Sequence, residues 1–201
     1  GVANAKGPRL PLVLVPTTAG TGSEVTPVAI ITVGEEEKKG VSSSIILPDI
    51  AILDPELTLG LPSRTTAATG IDAMVHAIEA YASKSKNNNP ISRMIAIEAL
   101  KLLGESIEKS VIDGSNLEAR GNMLIGAMLA GKAFANSPVA AVHALAYPIG
   151  GIYHVSHGLS NSLVLPYVLR FNSVDQKAAK DYSDLAQYVF PDLVINKGTQ
   201  A

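Results

Sequence analysis

The stretch LPSRTTAATGIDAMVHAIEAYASK, residues 61–84, marks a change in the periodicity of the chain. Its apolar residues recur at intervals of three and four positions, the spacing of one face of an α-helix. These residues are Ile71, Met74, Val75 and Ile78. Further helical patterns follow at residues 91–111, 117–137, 138–151 and 157–172. Pro148 and the glycine pair after it are expected to stop the helix that begins at Pro138. The chain after about residue 60 is therefore predicted to be all-helical.

Before residue 60 the pattern is that of short strands separated by loops. Apolar runs rich in β-branched residues and bounded by turn residues are typical of strands. Three such runs are RLPLVLVP (9–16), PVAIITV (27–33) and IAILDP (50–55). The loop TTAGTGSE, residues 17–24, follows the first run, and GEEEKKG, residues 34–40, is predicted to be a polar turn after the second.

The composition excludes several classes of function. The chain has 201 residues, a formal net charge of −2 and no cysteine. A charge near zero without a basic cluster gives no footprint for nucleic acid, so none is expected as a partner. The lack of cysteine excludes disulfides and thiolate metal sites and fits a reducing compartment. No signal-peptide pattern opens the sequence, so a cytoplasmic location is expected.

Residues 133–169 contain no Asp, Glu, Lys or Arg. That length would span a bilayer, but prolines, glycines and histidines interrupt it, so a buried helical core is favoured and no membrane contact is expected. Three of the four histidines, His143, His154 and His157, lie in this stretch. Buried imidazoles need a partner, which leaves a hydrogen-bonded core, a proton-transfer site or a metal as the alternatives.

The fourth histidine, His76, follows Asp72 by four residues on the first predicted helix. This spacing places both side chains on one face, where they could hold one divalent cation. An equally good interpretation is an aspartate near the helix start and a histidine on the same face by chance. If a metal is bound, its ligands are oxygen and nitrogen only, which suits Fe(II), Zn(II) or Mn(II).

The loop TTAGTGSE lies just after a strand, where α/β proteins often bind ligands. It offers the hydroxyls of Thr17, Thr18 and Thr21 and two glycines that allow close backbone approach. The match to a dinucleotide-binding fingerprint is poor, because only two glycines are present and no suitable helix clearly follows. From spacing alone, an ordinary turn between two strands is favoured.

Three motifs together resemble the iron-containing, or group III, alcohol dehydrogenases. They are PTTAGTGSEVTPVAIIT (16–32), AILDPELTLGLPSRTTAATGIDAMVHAIEAY (51–81) and HALAYPIGGIYHVSHGLSNSLVLPYVLRFN (143–172), in the order of the family. The resemblance implies a mainly α fold, with an all-helical metal-binding domain of the dehydroquinate synthase-like type at residues 61–201. A partial α/β nicotinamide-cofactor domain at residues 1–60 would precede it.

The resemblance also implies which residues form the site. The metal ligands would be Asp72, His76, His143 and His157. His154 has no ligand role in the family pattern. Many members carry a histidine, sometimes assigned to proton transfer, at the position of Tyr147, so the tyrosine hydroxyl becomes the candidate proton relay. Thr17, Thr18 and Thr21 would contact the nicotinamide dinucleotide, together with Lys39 or, alternatively, Lys38.

The implied activity is hydride transfer between a small alcohol or aldehyde and NAD or NADP. It would depend on Fe(II), with Zn(II) or another divalent metal as an alternative. Family chains are nearly twice as long, with a glycine-rich phosphate loop upstream and further helices downstream, so this chain resembles a central fragment. An incomplete sheet leaves strand edges exposed, so a homo-oligomer that covers them is expected.

Two other hypotheses stay open at this point. One is a non-catalytic metal-binding helical module that has lost dinucleotide binding. The other is a metal-dependent hydrolase, for which Glu79, three residues after His76, would be the candidate general base.

Overall fold

A computed structural model describes residues 8–34 and 37–190, apart from a few side chains. Within these ranges it contains six α-helices, all of them after residue 60. They are α1 (Ser63–Ala82), α2 (Pro90–Ile112), α3 (Leu117–Asn136), α4 (Ala141–Tyr153), α5 (His157–Asn172) and α6 (Gln176–Val189). The predicted mainly α fold is confirmed. The division into domains at residue 60 stays a prediction.

Four short strands precede the helices and form two separate pairs. They are β1 (Val13–Leu14), β2 (Val28–Val33), β3 (Glu37–Ser42) and β4 (Ile50–Ala51). β1 pairs with β4 in parallel, and β2 pairs with β3 in an antiparallel hairpin whose register sets Val28 opposite Ser42 and Ile31 opposite Lys39. The predicted first strand is therefore much shorter than its apolar run.

The predicted polar turn at residues 34–40 is wrong for its second half. Residues 37–40 belong to β3, where Gly40 lies opposite Ile30 of β2. Charged residues are poor strand formers, but β-propensity depends on context, and pairing along the whole of β2 overrides it here. Lys39 consequently lies within a strand and not in a turn.

Local capping signals set the starts of several helices. The Asn89 side chain accepts hydrogen bonds from the backbone N–H groups of Ile91 and Ser92, and the Ser92 hydroxyl accepts one from the Asn89 N–H. This reciprocal arrangement is a capping box, and Pro90 at the first helical position suits it. The stretch NNNP, residues 87–90, thus carries the start signal of α2.

The main core lies between α1, α2 and α3, where large apolar residues alternate with alanines. Its fully buried large side chains include Leu100, Leu103, Met123 and Leu124. The alanines let the helices approach closely, and α6 adds Leu185 to the same core. A smaller apolar cluster joins α1, α4 and α5 through Val75, Val142, Val164 and Val168. This second cluster holds together the three helices that carry the histidines.

α4 continues through the residue that the sequence pattern predicts to end it. Pro148 lies inside the helix, which runs on to Tyr153. A proline within a helix removes one backbone hydrogen bond, and packing of α4 against α5 offsets this loss. The helix ends instead at His154, which adopts the left-handed conformation with φ 53°. α5 then begins three residues later.

No single helix among the described residues has both the length and the hydropathy needed to cross a membrane. α3 and α4 meet these criteria only when taken together, and they are bent by 110° at the break between them.

The TTAGTGSE loop is anchored to α3 by a close contact between two glycines. Gly22 has φ 60°, and a Cβ atom there would lie 2.6 Å from the Cα of Gly131 and 2.9 Å from the carbonyl oxygen of Ala127. We expect Gly22→Ala to lower the free energy of unfolding by about 2–4 kcal/mol, because it combines left-handed strain with overpacking. Urea denaturation of both proteins measures the difference.

Gly34→Ala is the matched control for this substitution. Gly34 is also left-handed, with φ 68°, but a Cβ atom there meets nothing within 4 Å. It should cost only the backbone strain of about 1–2 kcal/mol. Equal losses in the two variants would show that the contact with α3 contributes nothing to stability.

Candidate metal centre

Three helices each present a pair of polar side chains four residues apart toward one point. α1 carries Asp72 and His76, α4 carries His143 and Tyr147, and α5 carries His157 and Asn161. Side chains at this spacing share a helix face, one turn apart. Because α1 and α4 both pack against α5, the three faces converge.

The convergence brings the four predicted metal ligands together. Asp72, His76 and His143 each offer a ligand atom, and these three atoms all lie within 4.8 Å of one another. Nε2 of His143 lies 3.7 Å, and Nε2 of His157 3.6 Å, from Oδ1 of Asp72. His154 is outside this group, as the family pattern implies. The role of the four predicted ligands in binding a metal stays a prediction, and their placement allows it.

Ring contacts fix the orientation of the imidazoles. The ring of His76 lies between Phe134 of α3 and His143, with centroid separations of 4.6 Å on each side. The rings of His76 and His143 are stacked at 17°. On the other side of the group, the Tyr147 ring stacks on His157 at 5.6 Å. Aromatic neighbours on two sides leave these rings little freedom to turn.

Asn161 is a member of the cluster that the sequence pattern did not single out. It is fully buried, and its side-chain amide donates a hydrogen bond to Oδ1 of Asp72. The same amide nitrogen lies 3.3 Å from Nε2 of His143 and 3.2 Å from Nε2 of His157. A positively polarised N–H group is therefore surrounded by the lone-pair atoms of three predicted ligands. A bound cation would occupy the same kind of environment.

Glu79 is a second residue whose contact with the cluster its position in the sequence did not predict. Its carboxylate accepts hydrogen bonds from Nδ1–H of His143 at 2.7 Å and from the backbone N–H groups of Ala140 at 2.9 Å and Val142 at 2.8 Å. It is buried, and it follows Asp72 and His76 on the same face of α1. The one general-base candidate of the hydrolase hypothesis is thus engaged behind the cluster and not directed at it.

The electrostatics of the cluster favour a charged Asp72 carboxylate beside a neutral His76, and they shift His143 toward its protonated form. Burial lowers the pKa of His76 to about 4, against the opposing effect of Asp72. Burial alone would raise the pKa of Asp72, but the three surrounding histidines together hold it below its usual value. Burial would likewise lower the pKa of His143, yet hydrogen bonds to Asp72 and Glu79 raise it overall. A metal at this site would compete with a proton for His143.

The cluster lines a cleft of about 970 Å³ that is bordered by the helices and by the strand region. The cleft wall is largely apolar and includes Ile31 and Val41 of the β2–β3 hairpin. The side chain of Asp72 is 5 % exposed, whereas that of His157 is 42 % exposed. The ligand set is therefore closed on the α1 side and open to the cleft beside His157.

The other predicted site residues are distributed unevenly along this cleft. Tyr147 and Thr21 line it, and His154 does so as well. Lys39 lies on β3 two residues before Val41, hence on the same face of the strand. Thr17 and Thr18 belong to the same loop as Thr21 but do not line this cleft. The structure thus brings Thr21 and Tyr147 to the cleft that contains the ligand cluster, and the other three residues lie outside its lining.

The residues present fit a divalent metal. One carboxylate and three imidazoles are a donor set that Fe(II) and Zn(II) accept. Three buried side-chain polar atoms in the described ranges have no hydrogen-bond partner, and two of them, Nδ1 of His76 and Oδ1 of Asn161, belong to this cluster. Because unsatisfied buried polar atoms are rare, these two show that hydrogen bonding around the cluster is incomplete among the described residues. Glu79 supports the same interpretation from behind the cluster, since metal-bound histidines commonly donate their other N–H to a carboxylate.

The helices thus bring together, beside a cleft, a set of donor atoms that a divalent metal accepts. Two family models match the chain: iron-containing alcohol dehydrogenase over residues 2–55, and the C-terminal region of the iron-containing alcohol dehydrogenase family over residues 66–200. The chain belongs to the iron-containing alcohol dehydrogenase family. The resemblance drawn from the three sequence motifs is confirmed.

Individual relatives agree with this assignment. Long-chain-alcohol dehydrogenase 1 of Geobacillus thermodenitrificans is 48 % identical over 176 residues, covering 88 % of this chain and 43 % of that protein. NAD-dependent methanol dehydrogenase of Bacillus methanolicus is 42 % identical over 175 residues, covering 87 % of this chain and 45 % of that protein. The solved structure of an alcohol dehydrogenase from Oenococcus oeni is 41 % identical with a TM-score of 0.86, covering 92 % of this chain and 48 % of that one. The chain spans less than half the length of each.

Proposed function

We propose that this chain carries the metal centre and part of the nicotinamide site of an alcohol dehydrogenase that transfers hydride between a small alcohol and NAD or NADP. The observation that supports it most is the convergence of Asp72, His76, His143 and His157 in the lining of a cleft that the TTAGTGSE loop also lines. The name of the methanol-oxidising relative favours NAD as the cofactor. Membership of the iron-containing family favours Fe(II), and the donor set also accepts Zn(II).

In this proposal the four residues would hold one divalent metal, which would supply Lewis acidity for the alcohol oxygen. The chain itself positions the substrate. The buried side of the cluster is closed by Phe134 and by the apolar residues between α1, α4 and α5, so the alcohol approaches from the cleft beside His157. The apolar cleft wall excludes water and favours a substrate with a hydrocarbon tail.

Tyr147 is the proposed proton relay. Its ring is stacked on His157 at the open side of the cluster, and it lines the cleft. Burial raises the pKa of its hydroxyl, and the negative charges of Asp72 and Glu79 raise it further. The hydroxyl is thus protonated at neutral pH and passes a proton by donating one hydrogen bond while accepting another.

The cofactor residues are proposed in two groups. Thr21 lines the cleft near the cluster, so it is assigned to the nicotinamide end. Thr17, Thr18 and Lys39 belong to the strand region outside the cleft lining and are assigned to the rest of the dinucleotide. The proposed assembly is a homo-oligomer in which the exposed strand edges are covered.

A metal-dependent hydrolase is not supported, because both oxygens of Glu79 already accept hydrogen bonds from α4 and the residue before it. The non-catalytic metal-binding module stays as the alternative, and cofactor binding separates it from the dehydrogenase. The two differ in whether the chain binds reduced nicotinamide dinucleotide, not in whether it binds metal.

The test uses the chain loaded anaerobically with Fe²⁺ or Zn²⁺ and incubated with a primary alcohol and NAD⁺ or NADP⁺. We expect NADH or NADPH to form, to disappear on addition of aldehyde, and to stop forming on chelation of the metal. Thr21→Val should weaken binding of the reduced cofactor, followed by its fluorescence, without changing the metal content. His154→Asn serves as the control, since His154 lines the cleft without belonging to the cluster.

Cofactor turnover that survives complete metal removal would contradict the mechanism. Stoichiometric metal binding without any binding of reduced cofactor, even at high concentration, would favour the non-catalytic module instead.

A further inference from the structure

We propose that Glu79 is a positioning residue that sets the tautomer of His143 and thereby presents the Nε2 lone pair to the metal. This role rests on the metal site of the proposed function. Glu79 is a carboxylate outside the predicted ligand set, and its proposed role is to orient a ligand.

The two nitrogens of the His143 ring face different partners. Nδ1 of His143 lies 2.7 Å from Oε2 of Glu79, on the far side of the ring from the other ligands. Nε2 lies 3.7 Å from Oδ1 of Asp72 and 3.3 Å from the amide nitrogen of Asn161. A neutral imidazole carries one proton, and a carboxylate accepts a hydrogen bond but cannot donate one. With Glu79 behind the ring, the proton is held on Nδ1 and the lone pair on Nε2.

Glu79 cannot turn away from His143. Its two oxygens also accept hydrogen bonds from the backbone N–H groups of Ala140 and Val142 at the first turn of α4. The residue before this helix provides no side-chain cap of its own. The carboxylate of α1 therefore serves as the cap of α4, and the positive end of the helix dipole favours its charge.

One side chain thus couples two requirements of the site. It fixes the start of α4, which places the backbone of His143, and it fixes the ring proton, which decides the nitrogen available for coordination. Outer partners of metal-bound histidines commonly act in this way, and their loss typically lowers metal affinity by about 10- to 100-fold. An isosteric glutamine offers one acceptor oxygen where three donors compete. If its NH₂ group faces His143, it donates to Nδ1 and drives the ring proton onto Nε2.

The experiment compares the unaltered 201-residue chain with Glu79→Gln, with Zn²⁺ as the probe. Zn²⁺ affinity is measured by competition with a chelator. The ring proton of His143 is located in the Zn²⁺-loaded protein by ¹H–¹⁵N NMR of the imidazoles, assigned with His143→Gln. The matched control is Asp181→Asn, because Asp181 is also a buried carboxylate but pairs with Arg93 and Lys177 away from the ligands.

We expect the unaltered protein to show a slowly exchanging Nδ1–H on His143. Glu79→Gln should lose this signal and bind Zn²⁺ about 10- to 100-fold more weakly, while Asp181→Asn keeps its Zn²⁺ affinity even where its stability falls. A proton on Nε2 in the unaltered protein overturns the proposal, whether or not the variants fold. So does Glu79→Gln with unchanged Zn²⁺ affinity, or an unaltered chain that binds no Zn²⁺. A chain that shows the expected Zn²⁺ and NMR results but never reduces NAD⁺ refutes the proposed activity and still supports this role of Glu79.

Discussion

Asp72→Ala is expected to abolish stoichiometric metal binding. Asp72 is the one carboxylate among the four predicted ligands, and its Oδ1 lies within 3.7 Å of Nε2 of both His143 and His157. Its removal takes away the only anionic donor and also the hydrogen-bond acceptor of Asn161. The loss of affinity should exceed the roughly 100-fold that removal of an outer partner costs at most. Elemental analysis of the purified variant and chelator competition with Zn²⁺ measure it.

His154→Asn is the control for this prediction. His154 lines the same cleft and belongs to the same charge-free stretch, and asparagine suits its left-handed backbone conformation. It should keep its metal. Equal metal loss in the two variants would show that the ligand set is wrongly assigned. Circular dichroism of Asp72→Ala should remain that of a folded helical protein, because the main core between α1, α2 and α3 does not depend on this side chain.

The sequence predicts those features of the site that depend on residues a few positions apart on one helix. The helical period around Ile71 and Val75 predicts α1, and the four-residue spacing of Asp72 and His76 places them on one face of it. The same regularity relates His157 to Asn161, and it could have drawn attention to this asparagine. Local spacing leaves a metal site and chance both open, and the family motifs favour the metal site.

The partner of Glu79 could not be predicted in this way. Glu79 and His143 are separated by 64 residues, and nothing in either local pattern indicates that the two helices meet. Their contact depends on the packing of α1, α4 and α5 around Val75 and Val142. Tertiary packing also explains the errors at β3 and Pro148, where pairing with β2 and packing against α5 override the local preferences of the residues.

α6 is not among the helices predicted from the sequence, although its sequence carries signals for it. Asp175 accepts hydrogen bonds from the backbone N–H groups of Lys177 and Ala178, which is a helix N-cap. The helix is largely polar and buries Leu185 against the core. Tyr182, Leu185 and Val189 recur at spacings of three and four and pack on the main core, so the apolar period and the cap both indicate this helix.

Gly158→Ala is expected to disrupt both stability and metal binding, because Gly158 is the point where α5 meets α1. A Cβ atom there would overlap the carbonyl oxygen of Ala68 and lie 2.6 Å from its carbonyl carbon and 3.3 Å from the nitrogen of Thr69. These are backbone atoms inside a helix, so they cannot rotate away as a side chain would. The free energy of unfolding should fall by about 3 kcal/mol, at the upper end of the usual cost of overpacking.

This overlap would push α5 away from α1 and so move His157 and Asn161 away from Asp72, since both residues lie within one turn of Gly158 on α5. Zn²⁺ affinity should therefore fall even under conditions in which the variant remains folded. Gly121→Ala is the matched control: Gly121 lies inside α3, and the nearest atom to a Cβ there, Cγ of Pro55, is 4.0 Å away. With room for the methyl group, alanine should stabilise the helix by about 0.5–1 kcal/mol and leave the metal in place. An unaltered urea midpoint in Gly158→Ala would mean that α1 and α5 are not held as closely as this contact requires. An unaltered Zn²⁺ affinity would mean that the ligands on α1 and α5 meet even with a side chain at residue 158.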